Sequence, residues 1–580
     1  MHFVKYKNIW ITSILIIFFG LMIGSNLEKS IIWDEPVFIM NGLYYLQEGI
    51  TYNSNQPILG GILNAIPLTI LGVEPLPYDQ INYLFRDAKF VFPYYGDNDL
   101  AEITFWARIG TLLFSLIVAL YVYKWAKELY GIKAGIFALF MYCFSITILA
   151  WSVSANQDLL CIGLLFITFY YFWKYLNTNE KKYLIYTGIF YGLALSAKVT
   201  ALFLIPIFFI NYLIFNHNIQ QANLKKIILT ILTIVILSWF TLTLVHIGDA
   251  RPLYDINDPF YQHGIGLEFR SEEKLESILD KVATEDSYLR PYLKKFITEV
   301  PIPGATFYQA IYTHSQDSSG GKDTGRISFL HGEWKEGGWW YFYFVAFLIK
   351  EAIPILIFWL ASFVFFKWTK HKEWKTELSL LTPVIIWIFI FSFITRIDTG
   401  FRHMLLVFPF LFVFSSKLIT LKIKEKYTTI TKIIFYALCI WLIIITFITF
   451  PFYTSYFNEF IGGSENGYRW LSSDNIDGGQ DMMHIKRYMD EHNLTSIKLE
   501  YLGVEKPEYR NVSYEPLTCE PTTGIIIISA SSLQGASYDN QYRDNGPDME
   551  CFSWLWERKP DEYIGYSILV YNITEDQQRL

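Results

Sequence analysis

The chain runs to 580 residues and is 53% hydrophobic, 18% aromatic and only 17% charged, with a mean hydropathy of +0.28. An ordinary soluble domain is not built this way, and the composition is that of a polytopic membrane protein. The formal net charge is −7 with basic residues scattered rather than massed, so there is no nucleic-acid signature, and the five cysteines lack metal-ligand spacing.

A transmembrane helix needs roughly 20 apolar residues. In chain order, runs of about that length fall at 9–24, 103–123, 133–151, 157–173, 183–197, 199–215, 227–245, 352–367, 378–395, 401–416 and 428–451. The first has Lys5 and Lys7 ahead of an apolar core, as a secretory leader does, but it ends in GSN and ten more runs follow. It reads as a retained anchor. The fold class expected is therefore mainly α, with about eleven transmembrane helices.

Lysines gather at alternate ends of the runs: Lys5 and Lys7; Lys124, Lys127 and Lys133; Lys174, Lys181 and Lys182; Lys225 and Lys226; Lys367, Lys370, Lys372 and Lys375; Lys417, Lys422, Lys424 and Lys426. By the positive-inside rule those ends, and the N-terminus, are cytoplasmic. Residues 1–451 then form a multi-span membrane domain with outer loops 25–102 and 246–338, and 452–580 lies outside the membrane, most simply the plasma membrane. Lys198 interrupts the stretch 183–215, whose two flanks both carry cytoplasmic lysines, so Lys198 falls at an outer turn.

The outer boundary collects charged residues from distant parts of the chain. SIIWDEPVFIMNG, residues 30–42, puts Asp34 and Glu35 beside the first span; Arg108 opens the second in FWARIG. Asp158 lies at the turn SANQD, Lys198 in LALSAKVT, and Arg402 with His403 in TGFRHMLLVFP. Any one of these is readily explained as an interfacial helix-end residue. Together on one face they read as a site, because ionised groups beside hydrocarbon are costly and a short carboxylate cannot snorkel far.

The loop 301–338 is rich in Gly and Ser and holds His314, Arg326, His331 and Glu333. It suits a lid, an acceptor-recognition loop or a plain connector, with His331 and Glu333 as its candidate site residues. WWYFYFVAFLIKEAIP then packs aromatics ahead of Lys350 and Glu351 and fits an interfacial helix, with Pro354 at its junction with the next span.

Residues 452–580 read as a small α/β domain: a helix near QDMMHIKRYMDEH, strands near SIKLEYL, GIIIIS and YSILVYNI, and a short helix near FSWLWER. From Glu459 onward about 21 acids face about 10 bases, roughly −11 in all. Sequons at Asn493, Asn511 and Asn572, with Cys519 and Cys551 as a pair close enough to bridge, suit an extracytoplasmic compartment.

WDEP, ARIG, SANQD, YGLALSAKVTALFLIP and GFRHMLLVFPFL resemble the polyprenyl-phosphate-sugar-dependent glycosyltransferases of the protein O-mannosyltransferase and aminoarabinose-transferase superfamily. That resemblance, over most of 25–451, implies the glycosyltransferase C fold, with its Asp-Glu or lone Asp on the first outer loop. It also implies inverting sugar transfer from a dolichyl or undecaprenyl phosphate. YFNEFIGGSENGYRWLSSDNIDGGQDM resembles the tail of uncharacterised relatives, with Gly478 where those have Trp; no part of this tail reads as catalytic.

The chemistry fits the residues. Sugar transfer from a lipid phosphate to a hydroxyl on a protein, lipid or glycan needs a base for the acceptor and cations for the departing phosphate. Asp34 is the expected base, with Glu35 positioning the acceptor, since neighbours on a helix point about 100° apart. Arg108 and Arg402 are the expected phosphate ligands, because guanidinium binds phosphate oxygens with a bidentate fork. Lys198 and Asp158 are placed to orient one another or the donor, with His403 in support. No cofactor is required; a divalent cation on the acidic pair, as in the oligosaccharyltransferase branch, lacks a third carboxylate. The competing reading is a lipid-linked-sugar flippase or other transporter, which usually carries midplane charges and internal repeats. A receptor or scaffold using the acidic tail leaves the rim charges unexplained.

Overall fold

The computed structural model describes residues 6–49, 51, 56–77, 80–81, 84–215, 224–254, 275–276, 279–280, 283, 287–318, 327–369, 373–395, 398, 400–536 and 549–578. Of the sequence candidates, Arg326 lies outside these residues, as does the side chain of His314. The chain divides into two compact units, the first made of Met1–Trp33, Leu116–Ser154 and Gly320–Leu580, the second of Asp34–Ser115 and Ala155–Ser319.

Each of the eleven apolar runs lies on helix. Six helices among the described residues are long and apolar enough to cross a membrane: Lys7–Leu27, Leu100–Tyr130, Asp158–Thr178, Leu224–Val245, Trp374–Ile394 and Glu425–Thr449. Two bent pairs bring the number to eight if each is one span: Ile132–Phe144 with Ile146–Ser152, bent by 62°, and Phe342–Lys350 with Ile353–Val364, bent by 116°. This is the helix set of an integral membrane protein. The runs at 183–197, 199–215 and 401–416 are helical but shorter. Leu59–Leu71, an apolar helix of 13 residues, stands in the stretch read as an outer loop.

In the second unit, Glu35–Glu48 packs against Leu59–Leu71 at close range. A Cβ at Gly42 would fall 2.0 Å from the carbonyl oxygen of Gly61, so the approach requires glycine there. Small residues at such crossings let backbones touch where no hydrophobic effect drives helices together. Lys181–Ala197 packs between Asp158–Thr178 and Leu224–Val245.

In the first unit, the expected interfacial helix is Phe342–Lys350, and Pro354 sits in the first turn of the helix that follows it, where its missing N–H costs nothing. Lys417, one of the flank lysines, is buried and ion-paired with Glu377 at 3.2 Å, and Tyr130 donates to the same carboxylate.

The tail holds a five-stranded sheet ordered Tyr514–Pro516, Ile497–Glu500, Gly524–Ser529, Ile568–Ile573, Glu562–Ile564. The first three strands are parallel and the last two antiparallel to their neighbours. GIIIIS is central because Ile526, Ile527 and Ile528 are all fully buried, as a strand covered on both faces must be. The helix Met482–Glu491 lays Met482, Ile485 and Met489 on Ile497, Leu499, Ile527 and Val570. Both tail helices and all three strands expected from the sequence are present; the two short outer strands were not legible.

Cys519 and Cys551 are disulfide-bonded, with Cα atoms 4.5 Å apart. Closing a loop of this length stabilises the sheet region by roughly 4 kcal/mol in the chain-entropy model. Non-reducing mass mapping of protein from its native membrane is expected to recover the linked peptides. Two free thiols there reject the pairing.

Candidate active site

Five of the candidate residues fall into three ion pairs, two in the second unit and one in the first. Asp34 stands at the N-cap of Glu35–Glu48, half-buried, and its carboxylate makes no cap bond to the first-turn amides. Pro36 fixes the first turn behind it. Glu35, one position on, is buried, and Arg108 grips it with a fork: Nε donates to Oε1 at 2.7 Å and Nη2 to Oε2 at 2.7 Å. The Ala155 amide donates to the same Oε1 at 2.7 Å. Arg108 is itself fully buried. Breaking such a pair by losing one partner costs about 3–5 kcal/mol, so Glu35 and Arg108 hold the helix start firmly.

Asp158 begins the helix Asp158–Thr178, and its backbone N–H donates to the Asn156 side chain at 3.0 Å. Lys198, in extended backbone at the end of Lys181–Ala197, forms an ion pair with Asp158. Of the two sequence alternatives for this pair, the contact present is with one another.

The first unit holds the rest. Arg402 lies in the 3-10 turn Phe401–Met404; its Nη2 sits 2.9 Å from Asp474 of the tail, and the guanidinium carbon lies 5.8 Å from the Trp151 ring centre. His403 stacks on Phe391, and its carbonyl accepts from the Trp387 indole at 2.7 Å. His331 and Glu333 belong to the hairpin of Ile327–Leu330 and Glu333–Glu336. His331 sits at its turn with a φ of 51°, its N–H donating to the Trp470 carbonyl at 3.0 Å; both side chains are exposed.

Beside Arg402 the first unit contains a small cleft lined by Lys29, Ile32, Trp151, Asp474, Gly478 and Gln480. Three of these come from the segment SSDNIDGGQD, which the sequence offered only as a tail motif. Behind them Asp477 is fully buried, and burial pushes its carboxyl up to about 6 although the Gly479 and Ser531 amides donate to it. Burial raises Asp481 as well, partly offset by His484 and by the hydroxyl of Ser567. Among the described residues no group of three or more His, Cys, Asp or Glu is arranged to hold a metal ion.

Residues 100–246 match the family model of dolichyl-phosphate-mannose-protein mannosyltransferase. This segment is mannosyltransferase-like. It contains Arg108, Asp158 and Lys198, so the resemblance read from the motifs holds where three of the predicted site residues lie. No curated protein matches the sequence. Among solved structures, the oligosaccharyltransferase of Archaeoglobus fulgidus in its apo form is 13% identical, with 90% of this chain and 62% of that one covered and a TM-score of 0.44. The same archaeal enzyme, AglB, in complex with an inhibitory peptide and a dolichol-phosphate gives 11%, 90%, 62% and 0.43. ArnT from Cupriavidus metallidurans bound to undecaprenyl phosphate gives 9% identity, 90% and 94% coverage, and 0.32. The chain thus spans about 62% of the length of the archaeal oligosaccharyltransferase. At these scores the overlap is loose and carries no argument, and the likeness rests on the segment 100–246.

Proposed function

We propose that this protein is a membrane glycosyltransferase that moves a sugar from a polyprenyl phosphate to an acceptor hydroxyl at the outer membrane face. The single observation behind this reading is the mannosyltransferase match over 100–246, which contains Arg108, Asp158 and Lys198, all ion-paired in the second unit. Asp34 is the base that takes the proton from the acceptor hydroxyl as its oxygen attacks the anomeric carbon. The bond from that carbon to the lipid phosphate breaks, and the phosphate leaves with the bonding electrons. With one base and no covalent intermediate the displacement inverts, so a β-linked donor yields an α-linked product.

Arg402 is proposed as the phosphate ligand. Arg108, forked onto Glu35, positions the turn that carries Asp34 instead of touching substrate, and Glu35 does the same. Lys198 is proposed to reach the donor from its Asp158 tether. The proposed mechanism balances charge without a metal. The orientation follows the lysine pattern, with about eleven crossings, a cytoplasmic N-terminus and residues 452–580 outside. The sequons and the Cys519–Cys551 bridge support an extracytoplasmic tail.

Purified protein in detergent, offered labelled mannosyl-, glucosyl- and aminoarabinosyl-polyprenyl phosphates with acceptor peptides, lipids and glycans, is expected to release lipid phosphate from one of the donors. A protein that binds these lipids yet releases phosphate from none of them does not carry this activity.

A further inference from the structure

Residues 472–481 take hold of two other stretches of the first unit, and both lead to residues of the proposed site. One contact is to the turn that carries Arg402. Asp474 ion-pairs with its guanidinium at 2.9 Å, and the Asn475 side-chain oxygen accepts from the Phe401 backbone N–H at 2.8 Å. The other is to the chain just before Asp34. The Ser30 N–H donates to the Gln480 carbonyl at 2.9 Å and the Trp33 N–H to the Gly478 carbonyl at 3.0 Å; Asp34 is the next residue.

The segment is itself anchored. Buried Lys350 donates to the carbonyls of Thr454, Tyr456 and Asn475 at 2.6–2.8 Å. Gln480 ties the glycine turn from inside, accepting from the Gly478 N–H at 2.7 Å and donating to the Ile476 carbonyl at 3.0 Å. Gly479 has a φ of +80°, and a Cβ there would meet the Gly503 Cα at 2.6 Å, so the turn needs glycine. Such a network, closed on both sides by charged and backbone groups, has few alternative arrangements.

We infer that residues 472–481 are a positioning element of the transferase, a clasp in which Asp474 aims Arg402 and the Asn475 and Gly478–Gln480 contacts fix the Phe401 and Ser30–Trp33 backbones. Within the first unit the tail then holds the Arg402 turn and the Ser30–Trp33 stretch in place, supplying no group that reacts. The inference rests on the proposed transfer for its rate consequences, but its physical content is independent of that reading.

Hydrogen exchange on the full-length protein in detergent, read by mass spectrometry, tests the clasp directly. Gln480→Ala is expected to speed exchange in the peptide containing residues 30–33, and Asn475→Ala in the peptide containing 401–403, with the exchange of the helix Glu425–Thr449 unchanged. The clasp is overturned if both variants leave their peptides at the parent rate, whatever the transfer assay gives. For Asp474 the readout is transfer. Asp474→Asn should lower kcat by about tenfold, the worth of one charge-assisted contact, with a smaller change in KM, and Asp474→Glu should restore most of it. In an Arg402→Ala background Asp474→Asn should change kcat by less than about twofold, since residues acting through one contact are non-additive. Full additivity overturns the Asp474 assignment. A parent protein that releases no sugar from any donor sinks the proposed function, and the exchange measurement then still decides the clasp.

Discussion

Asp34→Asn is expected to lower sugar transfer by about 10²–10⁴-fold while the protein still binds the donor, the usual range for loss of a positioned general base. Asparagine keeps the size of the side chain and cannot take the acceptor proton. Asp34 and Glu35 are adjacent in sequence but stand in different surroundings. Glu35 is buried, forked to Arg108 and bonded to the Ala155 amide, whereas Asp34 is half-buried at the helix N-cap with no cap bond. A carboxylate gripped by three donors is fixed in place and serves as a strut. Glu35→Gln is therefore expected to fail by another route, lowering the thermal midpoint because it leaves Arg108 buried without its counter-charge. Comparing transfer rate with melting temperature in the two variants separates base from strut. Near-normal turnover in Asp34→Asn, with turnover lost in a well-folded Glu35→Gln, inverts the assignment.

Hydrophobic periodicity and length made the helices legible, because a stretch of roughly 20 apolar residues has few other fates. Leu59–Leu71 escaped because it is short and carries Gly60, Gly61 and an internal Pro67. The pairing of Lys417 was not legible, because a flank lysine and a lysine paired inside a bundle look alike until the partner, Glu377, is known. In the tail, GIIIIS announced a strand, but Tyr514–Pro516 and Glu562–Ile564 are three-residue edge strands whose composition carries no such signal.

The site was legible as an inventory and less so as a set of partnerships. Charge next to hydrocarbon singled out Asp34, Glu35, Arg108, Asp158, Lys198 and Arg402, and complementary sign allowed the Asp158–Lys198 pair to be anticipated. Nothing in one sequence links Arg108 to Glu35 or Arg402 to Asp474, because pairing across distant segments is set by the fold. SSDNIDGGQD stood out only as part of a tail motif resembling that of uncharacterised relatives, and such a segment reads equally well as an exposed turn. Burial of Asp477 and Asp481 and the hydrogen bonds of Asn475 and Gln480 distinguish it from one.

The second large effect is expected at Arg402. A phosphate leaving the anomeric carbon gains negative charge in the transition state, and a fixed guanidinium in a water-poor site stabilises that charge more than it stabilises the intact diester. Asp474 and the Trp151 ring set its direction before substrate arrives, so little reorganisation is needed at the moment of reaction. Arg402→Ala should cost about 10²–10³-fold in kcat, the range seen when one stabilising donor is removed. Arg402→Lys keeps one charge and loses the planar fork, so it should recover only part of that loss, with kcat falling well beyond any fall in donor affinity. Donor affinity is read separately by titrating the polyprenyl phosphate itself. A transporter using Arg402 to hold lipid would show weakened binding or translocation with no sugar release to measure. Transfer by Arg402→Ala at close to the parent rate would place the departing phosphate elsewhere, with Lys198 the next cation to test, since its tether to Asp158 leaves two ammonium protons for a ligand.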